Sequence, residues 1–193
     1  MRYRTPAADA ELLRAFVASF AATDELLEAA DQVPPDLRYS ETAEPGEFFV
    51  SWKPQRRETP ASACRELEAR LPAPLPPLYR QLILSYRYLR VELGELCLLA
   101  NPPSLDLAGL EQEMFRDALL SRVLLRNGYI QFGKGAGGDY DPVCFHIACR
   151  TTDGDMQVVR LDHEEILCHE RIKVRAVLSP TFRQLVEQKA KTS

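Results

Sequence analysis

Apolar side chains return every three to four positions through residues 8–31, with Leu12, Leu13, Phe16, Val17 and Phe20 on one stripe, and this spacing predicts a helix. Thr23-Asp24-Glu25 has the form of an N-cap with an acidic first turn and would divide that helix in two. Pro34-Pro35 ends it, and 36–46 reads as a polar loop. Glu47-Phe48-Phe49-Val50-Ser51-Trp52 reads as a strand closed by Pro54. Thr59-Pro60 forms a cap and first helical position, followed by Cys64, Leu67 and Leu71 on one face. Leu71-Pro72-Ala73-Pro74-Leu75-Pro76-Pro77 is a stiff break between two helices rather than a proline-rich ligand, because proline is tolerated in a first turn. Residues 77–89 form a strong helix with Leu78, Leu82, Ile83 and Tyr86 inward. Glu95 to Ala100 is a short buried strand, and Asn101-Pro102-Pro103-Ser104 is a turn. Leu107 to Arg126 is the longest predicted helix, with Leu110, Met114, Ala118 and Leu119 at helical spacing and Asn127-Gly128 as C-cap.

The last third changes period. Tyr129 to Phe132, Pro142 to Cys149, Met156 to Leu161 and Arg171 to Val177 read as strands, with Asp153-Gly154 a tight hairpin signal. In Arg171-Ile172-Lys173-Val174-Arg175-Ala176, alternation turns Ile172, Val174 and Ala176 to the core and leaves a stripe of three cations outside. Ser179-Pro180 caps a final helix carrying Phe182, Leu185 and Val186. Helices, then a strand meander, then a closing helix make an α+β fold: a mixed, largely antiparallel sheet flanked by helices. Residues 1–35 form an N-terminal helical segment and 36–193 the α+β domain.

Composition narrows the chemistry. The chain has 193 residues, enough to bury about two-thirds of its unfolded surface without disulfide or metal. It holds 24 basic and 28 acidic residues, a net charge of −4. They are spread evenly, so neither half offers the clustered positive footprint of a nucleic-acid module. The five cysteines, Cys64, Cys97, Cys144, Cys149 and Cys168, are odd in number and irregular in spacing. Reduced thiols and a cytoplasmic location are the expectation. The apolar run Ala15 to Ala22 is short and preceded by Asp9, Glu11 and Arg14, which argues against a signal peptide. No stretch approaches the ~20 apolar residues of a spanning helix, so no membrane insertion is expected.

No constellation of catalytic residues stands out. Gly133 to Gly138 is glycine-rich, but Asp139-Tyr140-Asp141 follows where a phosphate loop needs a lysine–hydroxyl pair and a helix. It reads as a turned connection between strands. Cys144, His146, Cys149, His163, Cys168 and His169 supply every zinc-ligand type, yet no Cys-x-x-Cys or His-Glu-x-x-His spacing accompanies them. Asp139/Asp141 and Asp153/Asp155 sit in turn-like sequence. Trp52, the single tryptophan, is either core or, if exposed, an interface anchor.

Four segments in order resemble the SUKH superfamily, the SMI/KNR group that includes fungal glucan-synthesis regulators and bacterial toxin-immunity proteins. Leu75-Pro76-Pro77-Leu78-Tyr79-Arg80-Gln81-Leu82-Ile83 is similar to its proline-led helix. Ile130-Gln131-Phe132-Gly133 and Gly137-Gly138-Asp139-Tyr140 resemble its strand, glycine turn and Gly-Asp segment. Val158 to Glu164 is similar to a strand ending in Asp-His-Glu, and Leu178-Ser179-Pro180-Thr181-Phe182 to the lead of its last helix. There are departures: Tyr86-Arg87-Tyr88 stands where Asn-Gly is usual, 104–127 is a larger insertion, and 47–54 is faintly similar to the Syd branch. The resemblance implies a non-catalytic protein-binding domain without cofactor or metal, most simply an immunity protein that blocks a polymorphic toxin. Candidate contact residues are Trp52, Asp139, Tyr140, Asp141 and Asp162, the acidic ones suited to a basic nuclease toxin. The alternatives are a regulatory or scaffold protein of cell-wall synthesis or the secretion channel, and a metal-dependent enzyme using the Cys/His cluster.

Overall fold

A computed structural model describes residues 6–21, 26–38, 48–104 and 106–191. Among them the helices are α1 (Pro6–Ala18), α2 (Ala61–Glu68), α3 (Pro77–Ser85), α4 (Ala108–Met114), α5 (Ala118–Arg126), α6 (His163–His169) and α7 (Phe182–Lys189). The strands are β1 (Leu27–Ala29), β2 (Phe49–Ser51), β3 (Gln55–Arg56), β4 (Tyr86–Arg87), β5 (Val91–Leu93), β6 (Leu96–Leu98), β7 (Tyr129–Gly135), β8 (Pro142–His146), β9 (Gln157–Leu161) and β10 (Val174–Ser179). The central sheet runs β10-β9-β8-β7-β6-β5, and each described neighbour pair is antiparallel. The expected α+β architecture, a sheet flanked by helices, is what forms. No helix among the described residues is long and apolar enough to cross a membrane.

Alternation along the strands assigns two cores. Ile130, Phe132, Val143, Phe145 and Val158 point to the face covered by α1, α3 and α7. There Phe132 and Phe145 stack at 4.0 Å, and Tyr79 and Phe182 meet both rings edge-on. Tyr129, Cys144, Val159 and Leu161 point the other way, against Val123 and Leu124 of α5 and Ile166 of α6.

Several boundaries moved, each for a local reason. The helix predicted over 8–31 stops at Ala18 with a 3₁₀ turn at Ser19–Ala21, and 27–29 become β1, paired antiparallel with β2. Leu, Glu and Ala are good helix formers, so strand pairing there overrides the local propensity. The Thr23-Asp24-Glu25 cap lies outside the described residues, as does most of the 36–46 loop. Helix α3 ends at Ser85 rather than 89, because the buried side chains of Arg87 and Asn101 take its last carbonyls. Arg87 Nη1 donates to Ile83 O at 2.7 Å, and Asn101 Nδ2 donates to Ile83 O and Tyr86 O at 2.9 and 2.7 Å. Arg87 also engages the Thr59 hydroxyl, so Thr59 does not cap α2, which begins after Pro60 with no side-chain cap. The proline-rich break is real and is held by Glu68, which accepts from Leu75 N–H and from Arg80.

The helix predicted over 107–126 is two helices. Asp117, in extended conformation, accepts from Leu120 N–H at 2.9 Å and starts α5 afresh. Strand β5, a segment left unassigned by its sequence, folds back on β6 around Gly94. The Asp153-Gly154 turn forms, but a 3₁₀ turn at Ile147–Cys149 widens the connection, so His146 pairs with Gln157. The cap of α7 is Thr181, not Ser179: its hydroxyl accepts from Gln184 N–H. Asp155 completes that end. Its buried carboxylate accepts from Met156, Phe182 and Arg183 N–H groups at 2.8, 3.1 and 3.1 Å.

Asp155 therefore ties the β8–β9 connection to α7. Asp155→Ala is expected to lower the unfolding free energy by about 1–3 kcal/mol, because it strands buried N–H donors; urea unfolding followed by circular dichroism reads this directly.

Candidate functional site

The site lies where the β7–β8 turn meets the start of α6 and the edge strand β10. The turn is tight because Gly137 and Gly138 take φ of 66° and 83°, open to glycine at no steric cost. Gly135 is needed for a second reason: a β-carbon there would fall on the Asp139 side chain. Asp139 Oδ1 accepts from Asp141 N–H at 2.9 Å, a self-closing aspartate turn. The glycine run is thus the strand connection its sequence suggested.

Asp141 and Asp162 are both buried. Asp162 caps α6 by accepting from Glu165 N–H at 3.1 Å, and its own N–H donates to Lys173 O at 2.9 Å. Asp141 Oδ1 accepts from His163 N–H at 3.0 Å and from His163 Nδ1 at 2.7 Å. Donation from Nδ1 leaves Nε2 as the ring's second polar atom. Strand β10 and the residue before it supply the cations. Arg175 Nε lies 3.1 Å from Asp141 Oδ2, and its Nη2 3.2 Å from Asp162 Oδ2. Lys173 Nζ lies 3.0 Å from the same Asp162 oxygen. Arg160 is 3.8 Å from Asp139, and Arg171 3.4 Å from Glu165. The Glu165 N–H, then Lys173 and Arg175, hold the Asp162 carboxyl well below the usual carboxylate range, and Asp162 raises Arg175 in turn.

These contacts change three expectations. Arg171, Lys173 and Arg175 do not form a free cationic stripe, since each is drawn onto a carboxylate of this chain. Two register shifts interrupt β10, and Val174, expected inward, is 45% exposed; Val177 is 57% exposed as well. Asp141 and Asp162 are not open to a partner, because burial and ion pairing close them off. Trp52 is 4% exposed and belongs to the core under the β1–β2 ribbon, so the condition for an interface anchor is not met. Of the candidate residues, Asp139, Tyr140, Asp141 and Asp162 are brought together, and only Tyr140, 70% exposed, stands out to solvent.

Metal chemistry gathers differently from its sequence cue. Cys144 is in the core, His146 and Cys149 sit together at 3.3 Å, and His163, Cys168 and His169 belong to α6. Burial pushes the Cys64 thiol up to about 11 and raises Cys97 and Cys144 as well, which makes all three poor nucleophiles and ligands. Among the described residues one group has metal-ligand proximity: Asp139, Asp141 and His163, with donor atoms within 4.8 Å of one another. Arg160 and Arg175 already face those carboxylates, so a dication would meet two guanidinium charges.

Beside this cluster a groove of about 570 Å³ runs between the α4–α5 junction, β7 and α6. Leu99, Leu120, Gln131 and Leu167 line it, together with Tyr140, His163 and Lys134, which sit near one another. The Tyr140 ring centroid is 6.1 Å from that of His163, and Lys134 Nζ is 5.7 Å from the Tyr140 ring. Glu113, also in the lining, pairs with Arg90 at 2.6 Å and with Arg116. Sequence reasoning did not single out Gln131, Leu120, Leu167 or Lys134 as one surface. They lie on three elements with no shared spacing. No family model matches the chain, and no curated protein matches it.

The depressed Asp162 carboxyl has a signed consequence. A lowered native pKa contributes stability that is present above the unfolded value near 4 and is lost as pH falls below it. Urea midpoints measured downward from about pH 5 should therefore fall on acidification, and Asp162→Asn should flatten that dependence. Alkylation of the native chain by iodoacetamide, read by mass spectrometry, should label Cys149 and Cys168 and leave Cys64, Cys97 and Cys144 unlabelled until unfolding.

Proposed function

We propose that this chain is a non-catalytic protein-binding domain, an immunity-type protein that binds a toxin domain and blocks it by covering its active site. One observation carries the reading: Tyr140 stands mostly exposed on a turn of two left-handed glycines, fixed from behind by the Asp141–His163–Arg175–Asp162 contacts. A rigid aromatic set beside a groove is the usual form of an interface anchor. Little conformational entropy remains to be lost when such a turn docks. The ordered resemblance to the SUKH superfamily supports the same reading. Occlusion would use a surface of ordinary size, about 800 Å² on each partner. The acidic residues serve it as supports of the turn rather than as contacts.

The test is capture from native lysate, followed by reconstitution with the purified partner. A multidomain toxin whose isolated domain loses activity on binding is the expected result. Tyr140→Ala should then weaken binding about thirtyfold, a hot-spot effect of about 2 kcal/mol. Phe49→Ala, an exposed position on the separate β1–β2 ribbon, should leave it unchanged. A captured partner whose activity is untouched, or a cell-wall or secretion-channel component in its place, overturns the proposal.

A further inference from the structure

We infer that the groove beside Tyr140 takes an acidic, apolar segment of the partner protein, with a carboxylate between Lys134 and His163 and an aliphatic or aromatic side chain against Leu120 and Leu167. This rests on the protein-binding reading above and gives that site the chemistry of its partner.

Charge accounting supports it. The carboxylates nearest the groove are already engaged. Asp141 and Asp162 share Arg175, and Asp139 faces Arg160. Asp117 accepts from Leu120 N–H, and Glu92, which is outside the groove lining, accepts from Gly137 N–H at 3.0 Å; both keep their negative charge. Glu113 alone serves two guanidiniums, Arg90 and Arg116, whose side chains are 39% and 61% exposed. Lys134 forms no ion pair with a carboxylate among the described residues, and its Nζ lies 5.7 Å from the Tyr140 ring centroid. Counted over the lining itself, Arg90, Arg116 and Lys134 face Glu113 and Asp117, so one net positive charge is left for a ligand, at Lys134. A basic partner segment, the complement expected from the aspartates alone, would meet Arg90, Arg116 and Lys134 instead.

Shape supports it too. Helices α5 and α6 cover the second face of the sheet over β7 to β9, but that face is open where β6 meets β7. Lys134 lies there directly opposite Cys97, at the open end of the face. Leu120 and Leu167 form the wall that α5 and α6 present to the opening. His163, its Nδ1 held by Asp141, adds a fixed polar atom at the end where Lys134 supplies charge. A carboxylate next to an apolar side chain matches that sequence of surfaces.

Amide-shift titration of the isotope-labelled full chain tests it, with three capped tetrapeptides: Phe-Asp-Leu-Glu, Phe-Asn-Leu-Gln and Phe-Lys-Leu-Lys. The acidic peptide should shift Gln131, Lys134, Tyr140, His163 and Leu167 saturably. The neutral peptide should bind about fivefold more weakly, the size of one solvent-facing charge contact, and the basic one should not shift the groove. Lys134→Gln should lower acidic binding to that of the neutral peptide, its unperturbed spectrum elsewhere showing an intact fold. Equal binding of acidic and neutral peptides, shifts confined to other faces or absent, or a preference that survives Lys134→Gln overturns the inference. Groove shifts on simple dilution without peptide would assign the face to a second copy and also overturn it. Should Tyr140→Ala abolish toxin binding while no acidic preference is seen, this inference fails and the proposed function stands. Acidic-peptide binding without toxin inhibition has the opposite meaning.

Discussion

Two carboxylates closed off from water, Asp141 and Asp162, share one guanidinium, that of Arg175. A carboxylate shielded from water needs charged partners and N–H donors around it. Here Glu165 N–H, His163, Lys173 and Arg175 supply them, and those groups come from separate segments. The β7–β8 turn, the start of α6 and the edge strand are therefore held in one mutual position. Loosening any one exposes the others to an uncompensated charge, so these contacts brace the turn bearing Tyr140 against the sheet.

That constraint acts on a sheet with unequal coverage. The first face carries the aromatic core of Tyr79, Phe132, Phe145 and Phe182 and is closed by three helices. The second face has a smaller core, and its helices stop short of β6. Two ties hold α5 against α6: Arg122 and Arg126 both reach the Glu170 carboxylate, at 3.2 and 3.6 Å. Such exposed pairs are individually weak, but they sit beside packed apolar side chains that set the position. The groove is the space left where this layer ends, and its charge follows from which side chains lacked a partner inside the chain.

The edge strand shows the same economy. Charged side chains and bulges on an exposed strand discourage pairing with another chain. On β10 both devices are present, and its Arg175, with Lys173 just before the strand, also neutralises the buried aspartates. One stretch of sequence thus protects the sheet edge and braces the turn.

The periodic parts of the chain were legible from sequence alone. The stripe through Leu13, Phe16 and Phe20, the proline-led α3, the strands from β7 to β9 and the α+β class need only local spacing and burial. Element ends were less legible where a distant side chain decides them: Arg87 and Asn101 end α3, and Asp155 completes the start of α7. The site was half legible. Aspartates at 139, 141 and 162 and the tyrosine between them stood out, but not which were buried. Nothing in their spacing shows that Arg175 would reach both Asp141 and Asp162, or that Lys134 would be left over. Sequence determines which charges exist and how each short segment repeats. Only the tertiary structure decides which charges pair, because pairing depends on distances between segments that local propensity does not set.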